Sequence, residues 1–192
     1  LQHYAQAREV CAQALKRFPD NAPLYYLIGY NARAAGDYDD ALAAFRHALT
    51  LEPDNAEVFA NMGFIASERG QDEEAERLLR RAIALDPKHY PAHYDLGRLL
   101  VREKKYEAAV AVLERGASLS QTDPGVHYQL FTAYSRLKRK QDAERELAVF
   151  KQLDEARKQR EGVKPAGAMT TETPAPPELP ASVSAEGAKP PQ

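Results

Sequence analysis

The chain has 192 residues, of which 44% are hydrophobic and 28% charged, and its net charge is −2. This composition predicts one soluble domain with room for an extra segment, and it lacks the large excess of Lys and Arg that nucleic-acid binding requires. No apolar run approaches the roughly 20 residues of a membrane span. The single cysteine, Cys11, cannot form an intramolecular disulfide. A membrane-spanning protein, a disulfide scaffold and a nucleic-acid-binding protein are therefore disfavoured.

The first predicted helix covers residues 1–17 and ends near Pro19, without a partner helix before it. The chain opens on Leu1 rather than on methionine, so we expect either a fragment of a longer protein or a processed form. If nothing precedes Leu1, one apolar face of this helix lacks a neighbour. Self-association through that face is one of the expectations to be tested.

After this helix, the sequence repeats with a period of 34 residues. Small residues recur in two columns, which are Gly29, Gly63 and Gly97, and Ala41, Ala75, Ala109 and Ala143. Large apolar residues recur in a third column, which is Phe45, Leu79, Leu113 and Leu147. The small columns let two helix backbones approach closely, and the large column fills the space beside them. The period predicts a half unit at 1–21 and four full units at 22–55, 56–89, 90–123 and 124–157.

Each unit is predicted to be a pair of helices of about 14 residues, because apolar residues recur at helical spacing on both sides of one turn. Gly36 and Gly70 lie at that turn and can end a helix in the left-handed conformation. Pro53 and Pro87 end the second helix, because proline lacks an N–H and disfavours a helical residue before it. One unit cannot bury its apolar stripe alone, so the units must stack.

The last helix is predicted to start near Lys140 and to extend over about 20 residues to 161, as a cap on the final unit. From residue 162 the composition changes, since residues 162–192 hold seven of the 13 prolines and no aromatic residue. Such a segment cannot form a core. We therefore predict a repeat domain at 1–161 and a disordered Pro/Ala-rich tail at 162–192.

The repeated unit resembles the tetratricopeptide repeat (TPR) signature through Tyr25, Ile28, Gly29, Gly36, Tyr38, Ala41, Phe45, Ala48, Leu51 and Pro53. The resemblance covers residues 1–157 and implies an all-α fold, an α-α superhelix (TPR solenoid) in which the first helix of each pair lines a concave groove. The signature weakens at Gln121, Phe131 and Phe150, so the fourth unit is expected to pack less ideally. The Ala/Arg-rich repeats resemble bacterial sequences, and the compartment, cytoplasm or periplasm, stays open.

The side of each first helix that points away from the core is the predicted partner-binding groove. Aromatic rings there supply apolar area, Arg pairs with carboxylates, and Asn or Gln can hydrogen-bond a peptide backbone. The predicted groove residues are Tyr26, Tyr30, Arg33, Asn61, Phe64, Tyr94, Arg98, Arg102, Tyr128, Gln129 and Arg136. The alternative for the tyrosines is packing between adjacent first helices.

Co-chaperones of this family use a clamp of Lys, Asn and Arg to hold the C-terminal tails of heat-shock chaperones. The corresponding residues here are Tyr26, Tyr30, Asn61, Pro91 and Asp95. Only Asn61 matches the clamp, and Asp95 has the opposite charge. The mismatch to the clamp therefore argues against such a co-chaperone.

No catalytic constellation or cofactor motif is predicted. His89 and His93 have the spacing of metal ligands on a helix, but Pro91 intervenes and no third ligand follows. His93 and His127 instead share a packing column. We therefore expect a scaffold that binds a peptide or partner protein, without enzyme activity, cofactor or metal. The alternative is the scaffold arm of a larger enzyme whose catalytic domain lies upstream of Leu1.

Charge is distributed unevenly along the chain. Residues 1–87 carry a net charge of −5 and residues 88–161 a net charge of +4. This asymmetry could steer an acidic partner toward the third and fourth units. The alternative is that these charges only solvate the outer faces of the helices.

Overall fold

The structure, a computed structural model, describes residues 10, 11 and 13–160 and the backbone of residues 161–162. Within that part every regular element is an α-helix, which confirms the all-α prediction. Residues 10, 11 and 13–17 are helical. They are followed by α1 (Ala22–Ala35), α2 (Tyr38–Leu51), α3 (Ala56–Glu68), α4 (Asp72–Leu85), α5 (Tyr90–Arg102), α6 (Tyr106–Leu119), α7 (Pro124–Arg136) and α8 (Lys140–Gly162). Most of the predicted first helix, at residues 1–9, and the predicted tail, from residue 163, lie outside the described residues.

One column of the repeat supplies the N-cap of every first helix. The caps are Asn21, Asn55, His89 and Asp123, whose side chains accept backbone N–H bonds of 3.0, 3.1, 3.1 and 2.7 Å. Each cap satisfies a backbone donor that the first turn of a helix leaves without a partner. The third unit uses an imidazole where the others use an amide or a carboxylate. That choice leaves the second ring nitrogen of His89 available for another contact.

The turn inside each pair uses the left-handed conformation. Gly36 has φ 87° and Gly70 has φ 69°, which confirms the prediction for the first two units. The same column continues with Lys104 at φ 63° and Lys138 at φ 59°. A residue with a β-carbon has to overcome a cost of roughly 1–2 kcal/mol in this conformation. The turn geometry is therefore kept in the later units although the glycine is not.

The two helices of a pair meet along a seam where the glycine column faces the large apolar column. The contacting pairs are Gly29 with Phe45, Gly63 with Leu79, and Gly97 with Leu113. A β-carbon added at Gly97 would lie only 2.2 Å from Cδ2 of Leu113. The three large side chains have no exposed surface. This close approach requires glycine, as the period predicts.

Among the described residues, the apolar core forms two clusters. The smaller joins α1, α2 and the start and end of α3 around Phe45 and Ile65. The larger extends from α3 to α8 around Leu79, Leu113 and their neighbours. Met62 in α3 packs against both clusters.

The first helices α1, α3 and α5 each contact the first helix of the next pair. Among the described helices, α2, α4 and α6 contact only the first helices before and after them. The first helices therefore form the inner wall of the superhelix.

The fourth pair packs differently from the others, as expected. Leu147 stays partly exposed, whereas the equivalent side chains in the three earlier pairs are fully buried. Phe150, which replaces a column alanine, is 7% exposed, and its ring centroid lies 5.4 Å from that of Tyr128. The final helix α8 has 23 residues, close to its predicted length. None of the described helices combines the length and the apolar character needed to cross a membrane.

Candidate functional site

A cavity of about 220 Å³ opens on the inner wall where α1, α3 and α5 meet. It is lined by Tyr30, Arg33, Glu57, Ala60, Asn61, Phe64, His89, Pro91 and Asp95. Four of the predicted groove residues therefore come together here, two from α1 and two from α3. The cavity thus joins three successive units of the repeat.

Glu57 holds the three first helices together at the edge of this cavity. Its Oε1 accepts a hydrogen bond of 3.1 Å from the hydroxyl of Tyr26 on α1. Its Oε2 lies 2.5 Å from Nε2 of His89, the N-cap of α5. Because Nδ1 of His89 accepts the N–H of Ala92, the proton of the neutral ring lies on Nε2, which donates to Glu57. The predicted groove residue Tyr26 is thus held in an inter-unit hydrogen-bond chain.

The Glu57–His89 contact shifts the pKa of both side chains. The hydrogen bond from His89 holds the pKa of the Glu57 carboxyl below its ordinary value, against the effect of burial. The same bond raises the pKa of His89, again against burial. Sequence reasoning missed both as groove residues. The signal for His89 was its place in the capping column, since a capping imidazole has a second nitrogen to offer.

Arg33 is positioned by two aromatic rings. Its guanidinium carbon lies 5.1 Å from the ring centroid of Tyr30 and 4.8 Å from that of Phe64. Nε of Arg33 is buried, and none of the described residues accepts a hydrogen bond from it. Within the part of the chain that the structure describes, Arg33 forms no ion pair with a carboxylate. A stacked guanidinium keeps its N–H edges available for an anion.

The two other predicted arginines near this site already have partners. Nη2 of Arg98 lies 2.9 Å from Oε1 of Glu68. Nη2 of Arg102 lies 2.5 Å from Oδ1 of Asp72 and 3.1 Å from Oγ of Ser67. These contacts link α5 to the preceding pair. Such partly exposed pairs contribute little to stability, but they occupy the guanidinium groups.

Asp95 lines the cavity, and among the described residues no cation forms a hydrogen bond with its carboxylate. Its side chain is 14% exposed, and Nη2 of Arg98 lies 3.8 Å from its Oδ1, beyond hydrogen-bonding distance. Burial raises the pKa of the Asp95 carboxyl to about 6, although Arg98 and Arg33 act in the opposite direction. Near neutral pH this carboxyl group can therefore gain or lose a proton.

The remaining predicted groove residues lie outside the cavity, and they are Tyr94, Tyr128, Gln129 and Arg136. The ring of Tyr94 stacks on that of Tyr90, with centroids 6.2 Å apart. The ring of Tyr128 packs against Phe150 of α8. The first contact lies within α5, and the second joins α7 to the second helix of its own pair, so neither is the packing between adjacent first helices that was stated as the alternative. Gln129 is partly buried in α7, and Arg136 is exposed at its C-terminal end.

Two family models described as tetratricopeptide repeat match the chain. One matches residues 32–84 and 73–127, and the other matches residues 1–57. Together they cover the chain from residue 1 to residue 127. No curated protein matches the sequence.

Solved structures share the fold at low sequence identity. MamA is 21% identical with a TM-score of 0.65, and the match covers 83% of this chain and 91% of MamA. PilF of Pseudomonas aeruginosa is 23% identical with a TM-score of 0.72, covering 79% of this chain and 69% of PilF. YrrB, described as a TPR protein with an unusual peptide-binding site, is 20% identical with a TM-score of 0.63, covering 79% and 78%. At these identities the likeness concerns the fold alone.

Proposed function

The chain belongs to the tetratricopeptide repeat family, and from this premise we propose that it binds a peptide or a partner protein in its concave groove, as a scaffold without catalysis. The observation that carries this proposal is the cavity in which Tyr30, Arg33, Asn61 and Phe64 of two units meet. Tandem units of this kind use their inner surface for binding, since stacking leaves an extended concave wall. YrrB supports this proposal by its described peptide-binding site.

The groove offers a peptide both apolar and polar contacts. Tyr30 is 40% exposed, so its ring offers apolar area and a hydroxyl to a partner. Asn61, which donates an amide hydrogen bond to the carbonyl of Glu57, lies beside it in the cavity. Aromatic rings and arginine are the residue types that carry most binding energy at protein interfaces. The proposed contact surface is therefore centred on α1 and α3.

We propose that the partner is acidic at the position that meets this cavity. Arg33 is the cavity's guanidinium, and it has no described carboxylate partner, whereas Arg98 and Arg102 have theirs. A partner carboxylate would accept charge-assisted hydrogen bonds from Arg33 at no cost in broken ion pairs. The proposed binding unit is the repeat domain of residues 1–161, and self-association through the first helix is not needed for it.

A peptide-display experiment tests this function. The full chain is used to select binders from a random twelve-residue peptide library, and the affinities of synthetic binders are measured by calorimetry. We expect saturable binding that Tyr30→Ala weakens about tenfold, because truncating an interface ring typically costs more than about 1 kcal/mol. Mass spectrometry should recover the peptide unchanged after incubation.

The matched control is Phe18→Ala, which truncates another exposed aromatic ring in the connection ahead of α1. Its affinity should equal that of the unmodified chain. Equal binding by the Tyr30 variant, or a loss that the Phe18 variant shares, would contradict the groove assignment. Conversion of the peptide would contradict the absence of catalysis.

A further inference from the structure

Arg33 and Asp95 line one cavity from helices that belong to different units, and neither has a hydrogen-bonded partner of opposite charge in it. We propose that this cavity takes a single Asp or Glu side chain of the partner, whose carboxylate binds the Arg33 guanidinium on one side and the protonated Asp95 carboxyl group on the other. Binding then takes up one proton from solvent. This inference rests on the proposed peptide-binding function and names the residue that the groove selects.

The cavity fits an anion better than a cation. The ring of Phe64 already faces two guanidinium groups, since Arg33 and Arg98 lie 4.8 and 5.7 Å from its centroid. Both carboxylate oxygens of Glu57 already accept hydrogen bonds, from Tyr26 and His89. An incoming Lys or Arg would therefore find the aromatic ring and this carboxylate occupied. An incoming carboxylate would find the Arg33 guanidinium without a carboxylate partner among the described residues, and the buried Nε of Arg33 is still without an acceptor there.

Asp95 makes that carboxylate site dependent on pH. The charged groups that act on it are Arg98, Arg33, Glu68 and His89, and burial outweighs the two arginines. The neutral Asp95 carboxyl can donate its O–H to a partner carboxylate, as two carboxyl groups sharing one proton do. The ionised form would repel the same group. The affinity should therefore increase as the pH falls through the region of the raised pKa of Asp95, until the partner carboxylate itself is protonated near its ordinary value of about 4.

The cavity size and position favour a side chain over a chain end. About 220 Å³ holds one side chain, and α7 continues the inner wall beyond α5. A peptide can therefore pass the cavity and continue along the groove. A free C-terminal carboxylate has the same chemistry, so the experiment uses one probe for each source.

The test is a titration of the full ¹⁵N-labelled chain, followed by NMR, with three small probes. N-acetylglutamate N-methylamide represents an internal Glu, N-acetylalanine a C-terminal carboxylate, and N-acetyllysine N-methylamide a cation. We expect the glutamate probe to shift the Nε–H resonance of Arg33 and the amide resonances of Asn61 and Phe64 in a saturable way. Its dissociation constant at pH 5.5 should be at least about fivefold lower than at pH 7.5, because most Asp95 is protonated only at the lower value.

Three variants separate the contributions of Arg33 and Asp95 to binding of the glutamate probe. Arg33→Gln should remove the saturable shifts, while Arg46→Gln, the same change at an exposed cation of α2, should leave them intact. Asp95→Asn should keep the binding but lose most of its pH dependence, because an amide donates at every pH; the remainder belongs to His89, which also lines the cavity and whose pKa is raised by Glu57. Any one of three results overturns the inference: tighter binding of the lysine probe or of N-acetylalanine, shifts that survive in Arg33→Gln, or an unchanged pH dependence in Asp95→Asn.

The outcome is distinguishable from failure of the proposed function. If the glutamate probe leaves the Arg33 resonance unmoved at saturating concentration while display-selected peptides still bind through Tyr30, the carboxylate site is wrong and the scaffold function stands. If selected peptides also bind independently of Tyr30, both are wrong.

Discussion

The seam inside the helix pairs and the floor of the groove follow the same 34-residue period, but the residue types are kept along the seam and vary along the groove. In the seam, the pairing of Gly29 with Phe45 recurs as glycine with leucine in the next two units. On the groove floor, the column that starts at Tyr30 continues with Phe64, Arg98 and Thr132. Repetition therefore builds the frame, and departures from repetition form the site.

The physical reason lies in the freedom of each column. A seam position is enclosed on all sides, so any added atom meets a neighbour. A groove position faces solvent on one side and tolerates rings, guanidinium groups or small polar side chains. Each of the following substitutions tests one side of this contrast.

The largest effect is expected for Gly97→Ala in the seam. The added β-carbon would lie 2.2 Å from Cδ2 of Leu113, so that the helices must separate, and overpacking of this kind costs about 1–3 kcal/mol. Urea denaturation followed by circular dichroism measures the loss. The matched control is Gly116→Ala, where the nearest atom lies at 3.4 Å. That change should be neutral or stabilising by up to about 1 kcal/mol through helix propensity, and equal losses at both sites would show that the seam is not special.

An intermediate effect of opposite sign is expected for Asp95→Asn in the groove. The folded state holds the Asp95 proton up to a pH of about 6, above the unfolded value of about 3.8. Ionisation therefore destabilises the fold as the pH rises through this range. The variant should be more stable than the unmodified chain by about 1–2 kcal/mol at pH 8, because the two arginines offset part of the burial, and nearly equal to it at pH 4. Thermal unfolding at the two pH values checks this, with the exposed Asp20→Asn as control. A variant that is less stable at pH 8 would contradict the assignment of Asp95 as a buried, uncompensated acid.

The smallest effect is expected for Glu57→Gln at the edge of the cavity. Glutamine can keep the hydrogen bonds to Tyr26 and neutral His89 but cannot stabilise the His89 cation. Because the pKa of His89 is raised, protonated His89 stabilises the fold below its unfolded pKa near 6.5, and this stability is lost as the pH rises through the folded pKa of His89. Because the pKa of Glu57 is lowered, ionised Glu57 stabilises the fold above its unfolded pKa of about 4.5, and this stability is lost as the pH falls through the folded pKa of Glu57. Because half of the Glu57 side chain is exposed and solvent weakens the ion pair, the variant should lose at most about 1 kcal/mol near pH 5.5 and less at pH 8. Chemical denaturation at both values measures the difference, and a loss that grows with pH would be inconsistent with it.

The sequence was sufficient to predict the helix pairs and the way they pack. The period predicted the helix pairs, the stop at Pro53, the left-handed turn at Gly36 and the seam, because each of these depends on residues that touch within one unit or its direct copy. The lysines that take the left-handed turn at positions 104 and 138 were not predicted, since only the turn geometry, and not the residue type, is kept there.

The groove was predicted only in part, because its electrostatic partners lie in neighbouring units. Arg98 pairs with Glu68 and Arg102 with Asp72, each at a separation of 30 residues. Opposite charges at that spacing were present in the sequence and would have indicated that these arginines are occupied. The burial of Asp95 had no comparable signal, because it depends on how closely three first helices approach one another.

The division of the apolar core has a dynamic consequence. Two packed blocks that share chiefly α3 can open separately, so amide exchange in α1 and α2 need not follow the exchange of the later helices. Arg33 lies in α1, on the side of the smaller cluster, and Asp95 lies in α5, on the side of the larger cluster. A ligand that binds both side chains would couple the opening of the two blocks, so that they unfold as one cooperative unit.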